Sequence, residues 1–222
     1  APYDSNTPCP PAAGASVTVF DGDKNYIFNE LEPGIYVASA FRGVPGKTYN
    51  LTIQYNHETY AATSTMKKGF QIDSLSVEIF PFGLPADLPH YQVYVYGQDD
   101  PEPDQFYVFQ YAKNGNWNDT LFYWSFLSDL TINGKYVKKA PLSIIETYSD
   151  RFDLQLRSLS VEQEYLLFVD QVFYNYMPNM FFSPPKANVY GNISKGAFGY
   201  FAAASVSTSE KVTIRKNDYF LK

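Results

Sequence analysis

One amphipathic helical pattern, set late in a chain of short strand patterns, most limits what this sequence can fold into. Within residues 158–178 apolar side chains recur three or four positions apart and form a single stripe. The stripe consists of Val161, Tyr165, Phe168, Val169, Val172 and Tyr176. Ser160 and Gln163 have the spacing of a capping box, and Pro178 cannot continue a helix. We therefore predict one long helix near residues 161–177.

The rest of the chain is typical of antiparallel β-structure, because short alternating runs are separated by turn signals. In residues 48–55 the apolar side chains Tyr49, Leu51 and Ile53 alternate with polar ones, which is the period of a half-buried strand. The sequence Asp-Gly-Asp at residues 21–23 is a hairpin signal. Strands this short, with turns this regular, indicate a small β-sandwich in the first third of the chain.

Longer, aromatic-rich strand patterns follow, and they indicate a second and larger β domain. We expect strands at residues 91–96, 106–111, 121–126, 142–147, 152–159, 197–206 and 212–215. The predicted organisation is an irregular leader at 1–14, a small β-sandwich at 15–68 and a larger domain at 69–222. We expect the helix to belong to the larger domain, with Tyr165, Phe168 and Val172 buried against its sheet.

Composition excludes one broad class of partner. The chain has 222 residues and a net charge of −6, and its basic residues form no cluster beyond ordinary pairs. Nucleic-acid binding requires a basic face that neutralises phosphates, so we exclude it. A single cysteine, Cys9, permits no internal disulfide.

No motif predicts catalysis or a bound cofactor. His57 and His90 are the only histidines, and neither lies near a nucleophile motif or at a metal-ligand spacing, so we expect both on the surface. The acidic loop that runs from Asp99 to Asp104 could offer oxygen ligands to calcium. It lacks the spacing of an EF-hand and contains two prolines, which favours a solvated hairpin loop. We expect a non-enzymatic protein with no cofactor.

Aromatic residues are abundant, with 20 Tyr and 18 Phe, and two groups of them are candidate binding surfaces. A possible ligand platform lies around one hairpin and consists of Tyr107, Tyr111, Trp117, Tyr123 and Trp124. A possible partner interface lies at the helix end and consists of Tyr174, Tyr176, Met180, Phe181 and Phe182. The alternative for each residue is that it fills the core. Tyr174 is the best exception, since it falls on the polar side of the helix.

The C-terminal motifs carry a resemblance to a known family. They are Gly191, Asn192, Ile193, Gly196, Phe198, Gly199, Tyr200 and Phe201, which follow a Ser-Pro-Pro loop. The sequences Pro-Gly-Ile-Tyr at 33–36, Gly-Lys-Thr-Tyr-Asn-Leu-Thr-Ile at 46–53 and Ile-Asp-Ser-Leu at 72–75 agree with it in order and spacing. Together they resemble the Bacteroidetes outer-membrane lipoprotein family DUF4249, over most of the chain.

That resemblance implies a fold, a location and a partner. The opening domain of the family is similar to transthyretin-like and immunoglobulin-like sandwiches. A lipidated cysteine upstream of residue 1 would anchor the protein at the outer membrane, on its cell-surface or periplasmic face. A neighbouring gene for a TonB-dependent receptor implies an accessory subunit docked to that β-barrel. Two alternatives stay open, namely a stand-alone glycan- or peptide-binding module and a hydrolase without a recognisable motif.

Overall fold

The computed structural model describes residues 10–80, 88–176 and 188–215. Within these ranges the chain is mainly β, with antiparallel sheets and a single α-helix, so the expected fold class is confirmed. The chain divides into two compact units, each built from two segments. The first unit comprises residues 1–67 and 161–204, and the second comprises 68–160 and 205–222.

The first unit is built on a five-stranded antiparallel sheet in the order β3-β2-β1-β4-β5. Its strands are β1 (Ser16–Phe20), β2 (Asn25–Glu32), β3 (Ile35–Val37), β4 (Thr48–Tyr55) and β5 (Glu58–Thr65). The Asp21 carboxylate accepts the N–H groups of Asp23 and Lys24 and so closes the β1–β2 turn. Asn56 and His57 have φ of 49° and 62° and make the tight β4–β5 turn.

One face of this sheet forms the core of the first unit. Val17 and Val19 of β1 and Tyr49 and Leu51 of β4 are buried there by the strict alternation of each strand. Side chains from the distant C-terminal segment complete this core, and they are Ile193, Phe201 and Ala203. Part of the cover of this sheet is therefore supplied only after the helix, while Phe41 and Met66 contribute from the N-terminal half.

The free edge of β5 is closed by side chains from that later segment and by Glu162, which lies just before the helix. The N–H of Ala61 donates to Ser194 Oγ over 2.8 Å, and the N–H of Thr65 donates to Glu162 Oε1 over 3.0 Å. The second carboxylate oxygen of Glu162 accepts the Ser64 hydroxyl at 2.7 Å. Unpaired backbone groups at a sheet edge can pair with other chains. Here the N–H groups of Ala61 and Thr65 are hydrogen-bonded by side chains, without another strand.

Asn192 is the centre of this closure. Its Nδ2 donates to the carbonyls of Thr63 and Phe201, at 3.0 and 2.8 Å, and its Oδ1 accepts the Phe201 N–H at 2.8 Å. The side-chain amide of Asn192 thus links the backbone of β5 at Thr63 to the backbone at Phe201, as a strand between them would. A Cβ on the preceding Gly191 would overlap the carbonyl oxygen of Gly199, so only glycine fits there.

The second unit is a sandwich of two antiparallel sheets. Its strands are β6 (Gln71–Ile79), β7 (His90–Gln98), β8 (Phe106–Lys113), β9 (Asn116–Trp117), β10 (Ser125–Ser128), β11 (Tyr136–Glu146), β12 (Arg151–Val161), β13 (Ser205–Thr208) and β14 (Val212–Arg215). One sheet has the order β10-β8-β12-β13 with β9 on β8 and β14 on β12, and the other has the order β11-β7-β6. A single core takes residues from both sheets. Its largest side chains include Tyr91, Tyr107, Phe109 and Phe152.

The expected cap of the helix is wrong. The helix α1 (Gln163–Tyr176) begins after Ser160, which lies inside β12 and is buried. Ser160 pairs with Ser205, and its Oγ accepts the N–H of Phe70 at 3.2 Å. The strand therefore continues through the residues that a local capping signal assigns to the helix start.

The domain assignment of the helix also needs correction. We expected its apolar stripe to be buried against the larger sheet, but α1 belongs to the first unit. Tyr165 and Phe168 are half-buried, and their ring centres lie 5.4 and 5.5 Å from that of Tyr200. Phe168 also contacts Phe198 at 5.9 Å. The reason is the returning segment, which Asn192 fixes to β5 directly beside the helix start.

Two expected strands are partly wrong. Residues 121–126 open with the 3₁₀ turn Leu121–Tyr123, and only the following residues form β10. Residues 197–206 remain irregular until β13 begins. In that segment Gly199 has a φ of 142°, and the backbone pairs with the side chain of Asn192 instead of with a strand.

Replacing Asn192 by Ala should lower the free energy of unfolding by about 2–3 kcal/mol, because three hydrogen bonds of about 1 kcal/mol each are lost. Urea denaturation followed by circular dichroism measures the change. Asn116→Ala is the matched control, since this exposed amide makes no hydrogen bond within the described ranges, and it should shift stability by less than about 0.5 kcal/mol. Equal denaturation midpoints for the two variants would show that the closure of β5 does not depend on Asn192.

Candidate interaction surfaces

An apolar patch lies on the outward face of the first sheet, at its β3 edge. Alternation along β2 turns Tyr26 and Phe28 away from solvent and leaves Ile27 outward. In the β2–β3 ladder Asn29 lies opposite Val37, so these two share that outward face. The β2–β3 patch consists of Ile27, Leu31, Ile35 and Val37, with exposed fractions between 43% and 72%. Among the residues that the structure describes, these four aliphatic side chains are exposed and no strand pairs with the outer edge of β3.

One acidic side chain, Glu32, is exposed at the end of β2 beside the β2–β3 patch. Glu30 follows Tyr26 and Phe28 in the alternation of β2 and pairs with Tyr36, so it belongs to the opposite face of the sheet. Its carboxylate accepts the N–H groups of Gly34 and Gly14, at 2.8 and 3.0 Å, and these bonds lower the pKa of Glu30.

The β4–β5 half of the same sheet face is polar. It presents the exposed side chains of Asn50, Gln54, Thr59 and Thr63. Thr63 Oγ1 donates to Asn50 Oδ1 at 3.0 Å, so two of these side chains already hydrogen-bond to each other. The contrast confines the apolar surface to the first two strands at the β3 edge.

A second surface lies at the β8–β9 hairpin of the second unit. Asn114 and Gly115 have φ of 53° and 83° and form the two-residue turn between these strands. The turn stands beside an open groove of about 690 Å³, here called the Trp117 groove. Its lining consists of Tyr111, Lys113, Asn114, Asn116, Trp117, Asn118, Asp119 and Thr120.

Arg157 holds the aromatic wall of the Trp117 groove in place. Its guanidinium carbon lies 4.3 Å from the Trp117 ring centre, which is cation–π geometry. Arg157 Nε donates to Gln110 Oε1 at 2.6 Å, and Nη2 donates to Asp119 Oδ1 at 3.3 Å. These contacts fix the guanidinium against one face of the indole, and Trp117 is also one of the residues that line the groove.

The fold separates the five residues of the predicted ligand platform. Tyr107 and Tyr111 are buried, because β8 lies between β10 and β12 inside the sandwich. Tyr123 and Trp124 are half-buried, and Tyr123 packs edge-on against Tyr111 at 6.3 Å. Of the five predicted residues, Trp117 and the edge of Tyr111 line the groove. The residues that share it with them are polar and were not singled out from the sequence.

The acidic loop is built into the second unit. Asp99 is fully buried, and its carboxylate accepts the Tyr107 hydroxyl at 2.5 Å and the Gly134 N–H at 2.8 Å. Burial raises the pKa of Asp99, and nearby Asp129 acts in the same direction. Within the described residues no group of three or more His, Cys, Asp or Glu is arranged to hold a metal ion. The prediction of a solvated loop is therefore wrong for Asp99, the first residue of the loop, which is buried and hydrogen-bonded to Tyr107 and Gly134.

The two histidines differ in environment. His57 lies in the β4–β5 turn, as expected of a surface residue. His90 is buried, with Nε2 3.4 Å from Glu146 Oε1, so the expected surface position is wrong. The cause is its place on β7, the central strand of the three-stranded sheet.

The predicted interface at the helix end is described only at its start. Tyr174 is 56% exposed on α1, and its ring contacts that of Phe173. Met180, Phe181, Phe182 and the side chain of Tyr176 lie outside the described residues. Across the ranges that the structure describes, no helix has both the length and the apolar character that a membrane crossing requires.

A family model described as a domain of unknown function (DUF4249) matches residues 1–210. The chain belongs to the DUF4249 family. No curated protein matches it. Several of the signature residues that carry the resemblance, Gly191, Asn192, Gly199 and Phe201, are those that close the β5 edge and cover the first sheet. The DUF4249 signature in this chain therefore has a structural role.

Replacing Asp99 by Asn should flatten the pH dependence of stability. The folded state holds the Asp99 proton more tightly than the unfolded chain, whose carboxyl has a pKa of about 4. The free energy of unfolding contributed by this group is present below that value and is lost as pH rises through the raised pKa. An Asn side chain has no such titration, so its thermal midpoint should fall less between about pH 4 and pH 8.

Asp119→Asn is the matched control for this titration, because the Asp119 side chain is 78% exposed in the same unit. Its midpoints should follow those of the natural sequence across the pH series. If Asp99→Asn gave the same slope as that control, the buried carboxylate would not be the source of the pH dependence.

Proposed function

We propose that this protein is a non-enzymatic, lipid-anchored outer-membrane subunit that docks on a β-barrel of the TonB-dependent receptor type. The observation that carries the proposal is the β2–β3 patch, whose four aliphatic side chains are 43–72% exposed. The lipid anchor, the membrane and the class of receptor come from the resemblance to Bacteroidetes lipoproteins. The patch supplies the surface through which such a subunit would bind.

The energetics of the β2–β3 patch favour a covered state. Full burial of a Leu, Ile or Val side chain stabilises by about 1.5–3 kcal/mol, so four such residues are a strong local contribution to binding. Contiguous apolar surface on a soluble protein is a marker of an interface. The aliphatic residues would supply affinity, and the exposed carboxylate of Glu32 beside them would help to orient the partner.

The strand edge beside the patch adds a second mode of recognition. β3 ends the first sheet, whereas side chains close the opposite edge at β5. An extended segment of a partner can add to such an edge through backbone hydrogen bonds, with side chains seated on the apolar face. The strands of a closed outer-membrane barrel are already paired on both sides, so the segment that adds to β3 would come from one of the loops that connect them.

A stand-alone glycan-binding module is the second candidate function. The Trp117 groove favours it, because an aromatic ring there is surrounded by amide, carboxylate and ammonium groups. Glycan binding by itself is compatible with receptor docking, since the groove and the β2–β3 patch use different residues of different units.

Replacing Ile27 by Glu should abolish co-purification with the barrel, because a charge would be buried in an apolar interface. The tagged protein would be extracted in mild detergent from its native host, and the eluate analysed for a co-eluting barrel. Thr59→Glu, on the polar half of the same sheet face, is the matched control and should retain the barrel. Both variants should keep the natural melting temperature, since both side chains are exposed.

Other outcomes would contradict this proposal. If the protein with its natural sequence elutes without a barrel under these conditions, receptor docking is contradicted and the stand-alone binding module is favoured. A dimer that Ile27→Glu dissociates would assign the β2–β3 patch to a second copy of the chain. Equal barrel recovery with Ile27→Glu and Thr59→Glu would place the docking surface elsewhere.

A further inference from the structure

We propose that the Trp117 groove binds a neutral oligosaccharide. This inference goes beyond receptor docking and does not depend on it. It rests on three features of the groove, namely an oriented indole ring, unengaged polar groups around that ring, and walls that are rigid before any ligand arrives.

The polar groups that remain available suit a polyhydroxyl ligand. The Asn116 amide makes no hydrogen bond within the part of the chain that the structure describes. The Asp119 carboxylate is 78% exposed and has one contact, at 3.3 Å, to Arg157. An amide both donates and accepts, and a carboxylate accepts at two oxygens, so each can bind two neighbouring sugar hydroxyls at once. Lys113 and Thr120 add further donors on the same lining.

The indole supplies the apolar half of sugar recognition. One face of a pyranose ring presents C–H groups of slightly positive character, and these are attracted to the electron-rich face of an aromatic ring. Arg157 stacks on part of the Trp117 ring and is itself held by Gln110, so the ring orientation is fixed. Small-ligand sites commonly combine an aromatic surface of fixed orientation with a few polar groups that point toward the ligand, and the groove has both.

The walls of the groove are already bonded to the fold. Asn118 Nδ2 donates to Tyr111 Oη at 2.9 Å, and Asn114 Oδ1 accepts the Asp153 N–H at 2.9 Å. These bonds hold the loop that carries the free groups. Because the loop is ordered before binding, little conformational entropy is lost when a weakly contacting ligand such as a sugar binds.

Other ligand classes fit the groove less well. Arg157 is paired with Asp119, so the cationic charge of the lining is close to that of Lys113 alone, too little for a polyphosphate. A peptide that binds by strand addition needs a long edge, whereas β9 has two residues. An apolar small molecule needs an enclosed pocket, whereas this groove is open and lined mostly by polar side chains.

Affinity electrophoresis in native gels tests the proposal with four soluble neutral polysaccharides: glycogen, a β-glucan, a mannan and a xylan. At least one should retard the natural protein. Trp117→Ala should weaken binding to an oligosaccharide of that polymer at least about tenfold by calorimetry, as loss of a central aromatic contact does elsewhere. Trp117→Phe should recover most of the affinity, because a ring is restored. Leu130→Ala, a fully accessible apolar residue of the same unit outside the groove, should leave retardation unchanged.

Asn116→Ala and Asp119→Ala test the groove independently, in case the Trp117 variants fail to fold. Both side chains are exposed, so each should keep the natural melting temperature and still weaken binding several-fold. No retardation of the natural protein by any of the four polymers overturns the proposal. Equal retardation of the natural protein and all folded groove variants also overturns it, as does Trp117-dependent capture of peptides instead of polysaccharides.

The same variants separate this inference from receptor docking. Ile27→Glu should leave polysaccharide retardation unchanged, and Trp117→Ala should leave co-purification of the barrel unchanged. Loss of retardation alone therefore tests the groove, and loss of the barrel alone tests the β2–β3 patch.

Discussion

The hydrogen bonds that close the β5 edge determine how the first unit is put together. The groups of Ala61, Thr63 and Thr65 that point away from β4 are satisfied by side chains of Ser194, Asn192 and Glu162. A backbone edge left without partners is costly in a core and adhesive in solvent. Because Glu162 immediately precedes α1, the same closure fixes where the helix starts. It also gives a structural role to Gly191 and Asn192, two of the residues on which the resemblance to DUF4249 rests.

The sequence predicts this fold well where the information is local. The bounds of β4 and β14 agree with the alternating patterns, because period-two alternation and flanking turns determine both. Long-range pairing is what the sequence does not show. Ser160 satisfies every local rule for a helix cap, yet its pairing with Ser205 keeps it in a strand. Asn192 acts as a single side chain, and a single residue produces no periodic signal.

The binding surfaces were harder to predict, since each depends on which side of a strand is covered. Aromatic density singled out the β8–β9 hairpin as a candidate surface, but it could not separate buried Tyr107 from Trp117, which lies beyond the turn. In β2, Tyr26, Ile27 and Phe28 are consecutive apolar residues, a pattern typical of strands covered on both faces. The described residues cover one face of this strand only, and the sequence contains no sign of what would cover the other.

The discontinuous first unit has a consequence for how the protein is made. Thr65 and the carboxylate that caps it are separated by 97 residues of chain, and the rest of the cap comes later still. Strands β13 and β14, which complete the second unit, also come after that cap. A chain emerging from its N-terminus therefore finishes neither unit until its last quarter is synthesised. Prematurely ended chains would keep a bare β5 edge, a feature through which proteases and chaperones can distinguish them from finished molecules.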